Sequence, residues 1–157
     1  MSFEWLKNSV GPLKDLLGFL HKEGKTNDVL KKEILRELRD NLNIFRNAFF
    51  NNVEADVMID MLQNAAIREC VKQNFKFKKL KAGEIEPYHV FDERNKRYIG
   101  WNAERLVDKI DEKIVELKNI KKMNKESVAN VRSNVGLMLS NLYYRMKLLG
   151  DFIKGPK

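Results

Sequence analysis

Lys72, Lys76, Lys78, Lys79 and Lys81 fall within ten residues with no acid among them, and Phe75 and Phe77 are interleaved. Ammonium groups on phosphates, with rings stacked on bases, are a common grip on single-stranded nucleic acid. The same pattern fits a solvated strand whose Phe75, Phe77 and Leu80 turn inward and whose lysines stay in water. Arg94, Lys96 and Arg97 extend the basic candidates, and Lys118, Lys121, Lys122 and Lys125 form a second basic group. The net charge of +8 favours association with polyanions but does not by itself make a site.

Other combinations of reactive residues are sparse. His21 and His89 are the only histidines, so a histidine-rich metal site within one chain is excluded. Glu86 and His89 stand three apart, as in di-iron helices, but Pro87 lies between them and no second copy exists. Asp56 with Asp60, and Asp108 with Glu112, have the i, i+4 spacing of a helical carboxylate pair. The second pair belongs to a charged helix back, and no metal site is assigned to either. Cys70, the only cysteine, lies on an apolar helix face, where a thiol behaves as a small hydrophobe. There is no glycine-rich phosphate loop or nucleophile elbow, and no arginine stands at short spacing before either histidine. No catalytic residue and no cofactor are expected.

The elements that must carry these residues are helices. Val128, Val131, Val135, Met138, Leu142, Met146, Leu149 and Ile153 are spaced by threes and fours, which predicts one continuous C-terminal helix. A first helix over Phe3–Lys22 is interrupted at Gly11-Pro12, where a kink or a restart with Pro12 in the first turn is expected. A second opens at Thr26-Asn27-Asp28 and buries Leu30, Ile34, Leu38, Leu42, Phe45 and Phe49. A third runs from Val53 to about Gln73, and a fourth, from near Asn102, buries Ala103, Leu106, Val107, Ile110, Ile114 and Leu117. Between them the helical period disappears. Phe75–Lys78 alternates as a short strand does, and the two runs His89–Phe91 and Tyr98–Ile99 suggest a hairpin.

The N-terminal segment sets Phe3, Trp5, Leu6, Leu16 and Phe19 to one side, with Lys7, Lys14 and Lys22 elsewhere. That composition suits a helix lying in a membrane interface, and equally a helix closing a bundle core. No apolar run reaches the roughly 18 to 20 residues needed to span a bilayer. Neither a secretion signal nor a disulfide framework is visible, so the cytoplasm is expected.

The prediction is therefore an all-α protein, a four- to five-helix up-and-down bundle over residues 1–157 as one domain. A small irregular or β-hairpin insertion over about 74–101 separates the third and fourth helices, and 154–157 form a frayed tail. The function expected is that of a non-catalytic cytoplasmic module that binds another macromolecule, a protein partner or a second copy of itself, through the insertion and its flanking lysines. Nucleic-acid binding through 72–81 and membrane association through 3–20 are the alternatives. No small-molecule substrate is inferred.

Overall fold

The computed structural model describes residues 4–7 and 9–156, and among these the chain forms six α-helices. They are α1 (Val10–Glu23), α2 (Val29–Asn51), α3 (Ala55–Met61), α4 (Ala65–Lys72), α5 (Ala103–Met123) and α6 (Val135–Lys154). No strand occurs among the described residues. The long helices supply one core: α1 packs on α2 and α6, α2 on α6, and α5 on α6, while the short α3 and α4 close over α2. Every member of the predicted α5 stripe is buried, as are Ile34, Leu38, Leu42 and Phe45 of α2. Gly150 of α6 is buried against Leu16 of α1, so near that a Cβ there would meet the Leu16 methyls at 2.8 and 3.1 Å.

Helix starts follow side-chain capping. Asp28 accepts from the Lys31 N–H, Asn102 from Arg105 and Asn134 from Leu137, each relieving one donor that a helix start leaves unpaired. The N-terminal segment does restart, with Ser9 before α1 and Pro12 inside its first turn.

Four expectations need correction. The helix count among the described residues is six, because the predicted third helix is two. Asn41 of α2 grips the break, its Nδ2 donating to the Gln63 carbonyl (2.8 Å) and its Oδ1 accepting the Gln63 N–H (2.9 Å). Glu37, one turn earlier and buried, accepts the N–H groups of Ala66 (2.7 Å) and Ile67 (3.2 Å), capping α4 from outside. The C-terminal helix starts at Val135 rather than Val128. Lys125 and Glu126 adopt left-handed backbone (φ 58° and 63°), and Asp56 pins the following loop through the Val128 N–H (2.8 Å) and the Ser127 hydroxyl (3.2 Å). Val128 is still buried, so its place in the apolar stripe reported burial and not helix.

The insertion contains no hairpin and no strand at Phe75–Lys78. It is built from single helical turns at Phe77–Lys79 and Pro87–His89 and a two-turn 3₁₀ helix at Glu93–Tyr98. Gly100, at φ 92°, turns the chain so that its N–H donates to the Ile85 carbonyl, and the Ile85 N–H donates to Trp101. Those two bonds close the base of the insertion. At the C-terminus, α6 runs to Lys154, inside the tail expected to fray, and Lys157 lies outside the described residues.

Candidate functional site

The insertion is fastened to α6 by buried and half-buried polar groups. Arg94 donates to Asp92 (2.8 Å), to the Ser140 hydroxyl (2.7 Å) and to Asn141 (3.2 Å), and its guanidinium lies 4.3 Å from the Tyr144 ring centre. Asn95, buried, donates to the Tyr144 carbonyl (2.9 Å), and Arg145 donates to the Tyr98 hydroxyl, both residues buried. His89 is 3 % exposed and sits edge-on to Phe152 at 5.0 Å. Its Nδ1 accepts the Glu86 N–H (2.9 Å), and its Nε2 is buried with no partner among the described residues. Burial and the Lys81 ammonium hold this imidazole below its ordinary 6.5.

On this fastened segment three large apolar side chains face water: Tyr88 is 51 % exposed, Phe91 76 % and Ile99 39 %. Each borders a depression, and His89 lines both. Phe91 stands at the mouth of a cavity of about 450 Å³ between α1, α6 and the insertion, walled by Leu16, Leu148 and Tyr144. Lys147 and Asp151 pair across its α6 wall at 2.8 Å, and Lys147 also lies 5.0 Å from the Phe91 ring centre. Burial raises the Asp151 carboxyl above the usual range, against the opposing pull of Lys147. Tyr88 and Ile99 edge a shallower depression on the other side of His89.

The residues singled out in the sequence are dispersed. Phe75 and Phe77 are buried, edge-to-face at 5.3 Å, and are unavailable to stack on bases. Lys72, Lys76, Lys78 and Lys79 stay exposed, and Lys79 is 3.6 Å from Asp28. Lys81 is half-buried. Arg94 is committed to docking the insertion and is not a free cation. Lys96 pairs with Glu93 (3.0 Å), and Arg97 lies over the Tyr98 ring at 5.3 Å. In the second basic group, Lys121 is buried and pairs with Asp60.

The described members of the proposed membrane-facing set pack against the core. Leu6 and Leu16 are buried, Phe19 is half-buried against the core, and Trp5 packs on Phe45 (6.1 Å), Tyr143 (5.3 Å) and Tyr144 (5.9 Å). These rings fill the corner where α1, α2 and α6 meet, which is why the segment is apolar. Phe3 and the side chain of Val10 lie outside the described residues. Among the described residues no helix is long and apolar enough to cross a membrane.

Asp56 and Asp60 both serve the protein, one holding the 127–128 loop and the other Lys121. Asp108 is exposed on the back of α5. Cys70 is buried with its thiol pushed up to about 11 by burial, so little thiolate exists near neutrality. The sequence pattern assigns Phe91 and Ile99 to a hairpin and gives Tyr88, just before it, no element, so none of the three is singled out. Read without the hairpin, they are large apolar residues in a segment with no helical period to bury them. Compared with protein-family profiles, curated proteins and solved structures, the chain matches none.

Proposed function

We propose that this protein is a non-catalytic cytoplasmic binding module, an up-and-down helical bundle that presents the insertion to a protein partner. One observation carries the reading: the segment 86–99 is tied to α6 by Arg94, Asn95 and Tyr98 yet turns Tyr88, Phe91 and Ile99 to solvent. Large apolar groups on a rigid element are typical interface anchors, because ordering them on binding costs little entropy. Lys96, paired with Glu93, and Arg97 supply a polar rim.

The test replaces Tyr88, Phe91 and Ile99 together by serine in the full chain. The expected outcome is an unchanged melting temperature with loss of the protein that crosslinks to the wild type in its native cells. Sedimentation at rising concentration identifies the case in which that partner is a second copy. Retention of every partner by a folded triple variant overturns the reading. Phosphate-backbone binding by Lys76, Lys78 and Lys79 is a second reading, supported by their exposure alone. It requires oligonucleotide affinity that falls with salt, with a slope flattened when these lysines become glutamine.

A further inference from the structure

A separate concavity, of about 350 Å³, lies between the end of α1 and the first half of α2, within the size range of about 300–1,000 Å³ typical of small-ligand sites. His21, Lys25, Lys32, Arg36 and Arg39 line it, and no carboxylate among the described residues does. We propose that this pocket binds the phosphate group of a small soluble phosphorylated molecule.

The argument begins with the cost of the arrangement. Lys32, Arg36 and Arg39 stand at i, i+4 and i+7 on α2, one face on which like charges repel. His21 and Lys25 bring further basic groups to the same space from α1 and the α1–α2 link. Arg39 Nη1 donates to His21 Nδ1 at 2.6 Å; a guanidinium has no acceptor, so the imidazole accepts there and keeps Nε2–H as its donor.

Charge then selects the ligand. Glu33 lies 3.9 Å from Arg36 and Asp40 3.6 Å from Arg39, but both carboxylates are outside the lining. Lys25 and Lys32 have no ion pair among the described residues. Two of the four permanent cations are thus offset, which leaves about two positive charges, the complement of a phosphomonoester at about −1.5 to −2. Guanidinium forks beside ammonium groups suit phosphate oxygens better than a single carboxylate. The pocket shares no lining residue with the two depressions beside the insertion, so it stands apart from the partner-binding reading.

The experiment titrates isotope-labelled full-length protein with inorganic pyrophosphate at low salt and follows backbone amide signals. Saturable shifts confined to residues 20–39 are expected. Arg36→Gln with Arg39→Gln should weaken binding at least tenfold, whereas Lys122→Gln with Lys125→Gln, an equal charge loss elsewhere, should leave it within twofold. Lys25→Gln with Lys32→Gln, both exposed, must weaken it too, which covers the case of an arginine pair that disturbs folding. A sugar phosphate and a short single-stranded oligonucleotide separate the sources. Saturable binding of the sugar phosphate supports the proposal. Binding of the oligonucleotide alone, shifts centred on 72–81, equal weakening in the charge control, or no saturable binding overturns it.

Discussion

Glu37 and Asn41 show how single polar side chains decide the local path of the backbone. Both are buried on the apolar face of α2, and together they hold the break between α3 and α4. Removing one partner of a buried hydrogen bond leaves the other unsatisfied, at about 1–3 kcal/mol. Glu37→Ala strands two N–H groups and should lower urea-derived stability by that amount, while Glu37→Gln, which keeps one acceptor, should cost less. Equal losses would mean that Glu37 acts through packing alone. His89 gives a test with a sign. Its imidazole is held below 6.5 in the fold, so the folded state favours the neutral ring. That contribution is present above the unfolded value and is lost as pH falls through the folded one. The melting-temperature gap between wild type and His89→Gln should therefore be widest above about pH 7 and narrow on acidification towards pH 5. A gap independent of pH would show that His89 does not titrate with folding.

At the scale of elements, apolar periodicity located what is buried more reliably than what is helical. The α2 and α5 stripes and their Asp28 and Asn102 caps were legible because local spacing and capping agreed with the tertiary packing. The α3–α4 break was not, since its cause lies on α2, some 22 residues away in sequence. Its trace was still visible: Glu37 and Asn41 are polar at i, i+4 within a face of Ile34, Leu38 and Leu42. The late start of α6 also depends on a distant group, Asp56 on α3. Asp56→Ala should thus speed amide hydrogen exchange over 124–134 while α5 and most of α6 keep their protection. Loss of protection throughout α6 would make that loop part of the cooperative core. The insertion lacks the period of a long helix but folds into short helical turns instead of a hairpin, and these depend on the contacts of Arg94, Asn95 and Tyr98 with α6, which no local pattern encodes.

For the whole molecule, the aromatic corner of Trp5, Phe45, Tyr143 and Tyr144 joins the N-terminal turn to the long helices. Deleting residues 1–9 should expose Phe45 and Tyr143, lower the melting temperature and promote aggregation, because aromatic residues carry a large share of core burial. A truncated protein as stable as the full chain would show that the corner closes without Trp5. The close approach of Gly150 to Leu16 reaches further, since Leu16 also walls the 450 Å³ cavity. A methyl group at position 150 has nowhere to go except into Leu16, and Leu16 has open space on its cavity side. The chamber's capacity is thereby adjustable from behind its wall: Gly150→Ala works as a wedge that narrows it without altering any other residue that lines it.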